Sequence, residues 1–290
     1  MLKGPVARGD RCVLEFGNIF FEVDPKVGGR VTSARVAGLE VLTTASVNAV
    51  NYGSTFWTAP QADWQWPPVA EIDSDPYAVE QGEASFTLVS PPVESSTDAV
   101  AGLQVKKRFS ADLVRQAILV EYTLVNTSRD PKRAAPWEIT RVERGGLTFY
   151  ASDSAPMRAG DRPLLATSRG AGAYWFQHDE RTPVHGKLNA DGKGWVAHVT
   201  PQRALLIKSF EDIQQSQAAV GEGEVEIYAN LDATSPEAYV EVENQGAYGE
   251  IAAGAALTWA VRWYLKALPP QLVVAPGSAD LIALVAEAIQ

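Results

Sequence analysis

Short runs of alternating apolar and polar residues recur along almost the whole chain and constrain its fold more than any other feature. CVLEFGNIFFEVDP alternates and then turns at Asp24-Pro25. VGGRVTSARVAGLEVL gives two short strands around a turn at Ala37-Gly38. ASFTLVS, LQVKKRFS, QAILVEYTLVN, RAAPWEITRV, GLTFYA, WVAHVT, ALLIKSF, GEVEIYAN, AYVEVENQG and LTWAVRWYL continue the series. These runs are rich in Val, Ile, Tyr, Phe and Thr and are separated by Gly, Pro, Asn, Asp and Ser, which reads as strands joined by turns. In QAILVEYTLVN, Ile118, Val120, Tyr122 and Leu124 form one apolar face. The expected fold is all-β, a large antiparallel sandwich. Helical spacing appears only at the end, where Ser278 can cap ADLIALVAEAI and Leu281, Leu284 and Val285 share a face. No linker, short repeat or break in composition divides the chain, so one domain over residues 1–290 is expected, with a C-terminal helix at 278–289.

Apolar residues make up 46% and charged residues 21%, the balance of a soluble globular protein able to bury a large core. The formal charge of -10 repels phosphate backbones, so neither nucleic acid nor an anionic membrane is an expected partner. The single cysteine, Cys12, excludes an intrachain disulfide. The N-terminal residues have no apolar core of signal-peptide length, and no apolar run is long enough to span a bilayer. The compartment is left open between cytoplasm and, had a signal been trimmed, periplasm, and the oligomeric state is not indicated.

Several chemistries find no support. Gly28-Gly29 and Gly145-Gly146 lack the lysine and spacing of a phosphate loop and read as turns or bulges. The histidines, His178, His185 and His198, stand seven and thirteen residues apart without metal-ligand spacing. His178 and His185 read as loop or rim residues, and His198 as a partly buried strand residue. No metal and no cofactor is expected.

Residues 56–68, FWTAPQADWQWPP, hold three of the eight tryptophans, Trp57, Trp64 and Trp66. Pro60, Pro67 and Pro68 argue against a regular helix or a central strand over this stretch, which therefore reads as a loop. Such a loop can plug one end of a sandwich. It can also wall a pocket, because indole faces stack on the C–H faces of sugar rings while Gln61, Asp63 and Gln65 bond hydroxyls. Two carboxylate clusters accompany it. Glu241, Glu243 and Gln245 alternate on one strand and share a face, as do Glu224, Glu226 and Tyr228 on another. Such faces suit either a solvated sheet edge or a polar pocket in which mutual repulsion raises a carboxyl pKa.

The order VGGRVTSARVAGLEVL, NYGSTFWTAPQADWQWPP, APWEITRV, GEVEIYAN, VEVENQGAY resembles the galactose-mutarotase-like supersandwich class, and within it an uncharacterised bacterial family. The resemblance spans roughly residues 13–265, and FWTAPQADWQWPP and APWEITRV are its most specific segments. It implies an aldose 1-epimerase-like site. In mutarotases a glutamate of a late Glu-x-Gln strand takes the anomeric hydroxyl proton, and the matching residue is Glu243, followed by Gln245. Mutarotases also carry a histidine acid on a central strand and a second histidine in an earlier loop. This chain has Trp137, Glu138 and Arg141 in the first segment and the tryptophan-rich stretch in the second, so the acid that the resemblance implies is either replaced, by Glu138 or by one of the later histidines, or missing.

The expected ligand is a carbohydrate, met by Trp57, Gln61, Trp64, Trp66, Trp137, Glu226, Tyr228 and Gln245. Arg30, Arg141 and Lys208 are expected to hold its hydroxyls or an acidic sugar's carboxylate. Two other functions compete with isomerisation: carbohydrate binding without turnover, and a lyase or hydrolase activity with Tyr228 or Tyr248 as acid.

Overall fold

The structure, a computed structural model, describes residues 5–94, 97–178, 183–231 and 238–290. Among the described residues the strands form two antiparallel sheets, one of twelve strands and one of ten. The middle of the first sheet runs, in spatial order, Arg30–Val36, Ser54–Ala59, Lys132–Glu143, Tyr239–Gln245, Val225–Leu231 and Val184–Ala190. The second runs Leu147–Ala151, Trp195–Val199, Ala204–Ser209, Ala256–Ala267, Ala117–Asn126 and Leu103–Asp112 through its centre. The all-β sandwich expected from the sequence is thus the architecture found.

Alternation explains the strands with one half-exposed face. In Ala117–Asn126 the residues Ile118, Val120, Tyr122 and Leu124 are buried while Leu119, Glu121, Thr123 and Val125 are half-buried. The buried set meets the first sheet: Tyr122 stacks on Phe56 with ring centroids 4.6 Å apart, and Trp263 meets Phe21 edge-on at 5.5 Å. The helix Ala279–Ile289 covers the other side of the second sheet, where Leu281 and Val285 pack with Leu147, Phe149, Trp175 and Trp195. Ser278 caps it by accepting a hydrogen bond from Leu281 N, as its sequence position suggested.

The stretch 56–68 departs from its expected form. Its first residues belong to Ser54–Ala59, an internal strand paired with Lys132–Glu143. All three prolines lie beyond Ala59, so none removes an N–H from this ladder. Only after Pro60 does the chain leave the sheet, into a short 3-10 turn at Gln61–Asp63. Pro136 is tolerated inside Lys132–Glu143 because it falls between two partners: Gly249–Ile251 pairs with Lys132 to Ala134, and Tyr239–Gln245 pairs from Trp137 onward.

Candidate active site

Five strands of the first sheet bring a polar and aromatic patch together through their register. Trp57 lies opposite Trp137, and Trp137 opposite Gln245. Ile139 lies opposite Glu243, which faces Glu226 on the next strand. Arg141 lies opposite Glu241, which faces Tyr228, which in turn faces Lys187. Because side chains alternate, these residues share one face, and Phe56, Glu138, Thr140 and Asn244 point the other way, toward the second sheet.

Above this patch lies a cavity of about 380 Å³. Trp57, Trp66, Trp137 and Gln61 line one side, and Tyr228, Lys187, Glu241 and Glu243 the floor and the other side, with Arg162, Asn51 and Tyr239 at the margins. A polar floor with aromatic walls is the usual build of a small-molecule site. Trp57 meets Trp137 edge-on at 5.4 Å, Trp64 at 5.6 Å and Trp66 at 6.2 Å. Trp66 is 60% exposed, whereas Trp57 and Trp64 are buried. Trp64 does not line the cavity. Its Nε1 donates to Thr58 O at 2.7 Å, and it backs Trp57 and Trp137.

The Trp57 indole is held from behind. Its Nε1 donates to Asp73 Oδ1 at 2.8 Å, as does Thr55 Oγ1, while Arg30 reaches Asp73 Oδ2 at 3.2 Å. Burial pushes the Asp73 carboxyl up, but Arg30 and the Trp57 bond more than offset it and hold it below the usual range. The turn carrying Asp73 sits directly on Gly28, where a Cβ would lie 1.9 Å from Asp73 O. Arg30 therefore supports the wall and does not enter the cavity. Arg141 likewise donates from Nε to Glu241 at 2.9 Å and lies 5.4 Å from the Trp57 ring, with its Nη1 buried and unpartnered.

The floor is a knot of charge. Lys187 Nζ is 2.5 Å from Glu226 Oε2 and 3.1 Å from Glu243 Oε2, and lies 4.9 Å from the Trp137 ring. Glu226 Oε1 accepts from Gly223 N and Gln245 Nε2, and Gln245 also donates to Glu222 Oε2. Glu222 Oε1 accepts from Gln61 N at 2.7 Å and so ties the aromatic stretch to the floor. Burial opposes the charge on Lys187, but Glu226 and Glu243 together outweigh it and hold the ammonium above the ordinary lysine range. Burial, reinforced by Glu243 and Glu222, pushes Glu226 well up despite Lys187. One ammonium serves several carboxylates here, and burial with like charge nearby disfavours the ionised form of Glu226. Glu243 Oε1 is left without a hydrogen-bond partner.

The structure thus brings Trp57, Gln61, Trp66, Trp137, Tyr228 and Glu243 to the cavity and sets Trp64, Arg30, Arg141, Glu226 and Gln245 directly behind it. Two sequence expectations are corrected. Glu138 and Lys208 lie between the sheets, both fully buried and 2.7 Å apart. Glu138 Oε1 accepts from Tyr122 Oη and Trp263 Nε1, and Lys208 donates to Thr140 and Asn244. Glu138 is one residue from Trp137, which sends it to the opposite face, and Lys208 stands on a strand of the second sheet. The solvated-edge reading of Glu241 and Glu243 fails too, since their strand is paired on both sides and buried along its length. Glu224 precedes its strand and accepts from Ile213 N instead of joining Glu226 and Tyr228.

Lys187, Arg162, Asp73 and Glu222 escaped the sequence reading. Lys187 and His185 lie on Val184–Ala190, whose glycine and proline neighbourhood masks a strand. Gly186 is required there, because a Cβ would stand 2.5 Å from Pro163 O, in the segment that delivers Arg162. His185 is an exposed strand residue, and His178 is buried against Thr148 beside His198, not at a rim.

No protein-family profile and no curated protein matches the chain by sequence. Solved structures do match. A galactose mutarotase-like protein from Lactobacillus casei is 11% identical, aligns over 88% of this chain and 100% of its own, and gives a TM-score of 0.64. A galactose mutarotase-like protein from Clostridium acetobutylicum is 10% identical over 92% of this chain and 99% of its own, with a TM-score of 0.60. A putative aldose 1-epimerase from Klebsiella pneumoniae is 12% identical over 98% of this chain and 85% of its own, with a TM-score of 0.59. With two antiparallel sheets and these likenesses over nearly its full length, the chain has the galactose-mutarotase-like fold.

Proposed function

We propose that the cavity is a carbohydrate site and that the protein is an aldose 1-epimerase-like isomerase acting at the anomeric carbon, with Glu243 as general base. The observation that carries this reading is the state of the Glu243 carboxylate. Lys187 holds Oε2 at 3.1 Å, Oε1 has no partner, and the group lines a cavity walled by Trp57, Trp66 and Trp137. A fixed carboxylate with one unsatisfied oxygen is suited to accept a hydroxyl proton, and flat indoles suit the apolar face of a pyranose. The fold shared with mutarotase-like proteins supports the same reading.

Polarimetry on freshly dissolved α-aldoses tests it. The protein should speed their mutarotation, and Glu243→Gln, which keeps the shape and removes the base, should lower turnover by about 10²–10⁴-fold. Sugar binding with no turnover in the unaltered protein would make it a carbohydrate-binding protein instead. An unsaturated product absorbing in the ultraviolet would make it a lyase.

A further inference from the structure

We propose that Tyr228 protonates the ring oxygen of the substrate and that His185 restores the Tyr228 proton; the proposal rests on the isomerase reading above. Opening a pyranose needs an acid as well as a base. Glu243 takes the proton from O1, a C1=O1 double bond forms, the C1–O5 bond breaks, and its electron pair stays on O5. O5 must then gain a proton, and ring closure on the other face runs the same steps backward with base and acid exchanged. With Glu138 turned toward the second sheet, the acid has to come from the cavity itself.

Tyr228 fits by position. It lines the cavity, and its Oη lies 3.2 Å from His185 Nε2. In the sheet register Glu226 is the direct partner of Glu243, and Tyr228 is that of Glu241, so Tyr228 is diagonal to Glu243. Diagonal neighbours stand about 7–8 Å apart, which leaves room between the two side chains for one carbon bearing both O1 and O5. Two of the competing donors are committed elsewhere. Lys187 is locked between Glu226 and Glu243, and Arg141 Nε is bound to Glu241. Arg162 lies over the Tyr228 ring at 5.0 Å, where its charge stabilises the phenolate that forms as the proton leaves. A guanidinium does not itself give up a proton at neutral pH.

His185 completes the path. It is exposed and packs edge-on to Tyr228 at 5.8 Å. Its Nε2–H passes to the phenolate while the imidazole takes a proton from water. On ring closure, as Tyr228 takes the O5 proton, the same relay returns one proton to water. The imidazole does not line the cavity and reaches it only through Tyr228, so it acts on Tyr228 and positions its hydroxyl.

The test is mutarotation kinetics of the full chain and three variants on the same α-aldoses. Tyr228→Phe keeps the ring contacts with His185 and Tyr239 and removes only the hydroxyl. It should lower kcat by about 10²–10⁴-fold with KM unchanged, because the lost interaction is made only in the transition state. His185→Ala should lower kcat less, and free imidazole in the buffer should restore it, while imidazole should leave Tyr228→Phe slow. Activity in the unaltered protein, its loss in Glu243→Gln and full kcat in Tyr228→Phe would overturn this proposal and leave the isomerase reading standing. Should Tyr228→Phe fail to fold, imidazole rescue of His185→Ala supports the relay, and an undiminished His185→Ala rate overturns it. No turnover in the unaltered protein would remove the isomerase reading and this proposal together.

Discussion

Trp57, Trp64 and Trp66 are close in sequence yet differ in what they touch, and the difference separates two measurable effects. Trp64 is buried behind the wall with its Nε1 satisfied by Thr58 O, so it belongs to the core. Trp66 lines the cavity and is 60% exposed. Trp64→Ala should destabilise the protein by about 3–5 kcal/mol, the usual cost of emptying an aromatic site. Trp66→Ala should change stability by less than about 0.5 kcal/mol. It should instead weaken sugar binding by about 1–3 kcal/mol, if stacking on nucleic-acid bases is a fair guide. Urea denaturation reads the first effect and titration calorimetry with a sugar reads the second. If Trp66→Ala leaves affinity intact, the stretch is a plug and the ligand sits elsewhere. The chemistry of the three indoles was legible in the sequence, but not their division of labour. That depends on Pro60 ending one strand and on Thr58 O accepting the Trp64 bond.

At the scale of strands, the alternation rule worked where one face stays open and faltered where both close. Ala117–Asn126 alternates cleanly, and its inward residues were legible. Lys132–Glu143 is buried on both faces from Ala134 to Val142, so apolar and polar residues no longer mark inside and outside. Alternation therefore does not reveal that Glu138, which the resemblance offers as an acid, lies across the sheet from the cavity. A similar buried polar group joins the strands Leu147–Ala151 and Trp195–Val199. The Thr148 hydroxyl bridges His178 Nε2 at 3.3 Å and His198 Nδ1 at 3.0 Å. Burial pushes both imidazoles down, His198 from 6.5 to about 3 and His178 well below its usual value. Below 6.5 the unfolded chain therefore binds protons that the folded chain refuses. The stability these residues contribute is present above pH 6.5 and is lost as pH falls toward about 3. Each can add up to about 1.4 kcal/mol per pH unit to that loss. Urea denaturation at stepped pH should show it, and His198→Gln should flatten the slope. An equal slope in the variant would mean that His198 does not drive it.

Across the whole molecule, the two sheets are joined by charge as well as by packing. Lys208 of one sheet meets Glu138 of the other with neither exposed, and Tyr122, Trp263, Thr140 and Asn244 complete their hydrogen bonds. Burial of this kind is costly for each charge and is repaid only while the partner is present. Glu138→Ala should therefore destabilise by about 3–5 kcal/mol, because Lys208 is left as a buried unpaired ammonium. Glu138→Leu combined with Lys208→Met should recover much of that loss, since an apolar pair of similar volume often matches a buried ion pair. The two sites touch, so the double change will not equal the sum of the single ones, and the gap measures their coupling. The same set tests the placement of the site. The pair lies across the sheet from Trp137 and Glu243, so any isomerase activity should survive in the double variant once it is folded. Stability recovered with activity abolished would place Glu138 or Lys208 back among the groups that act on the ligand.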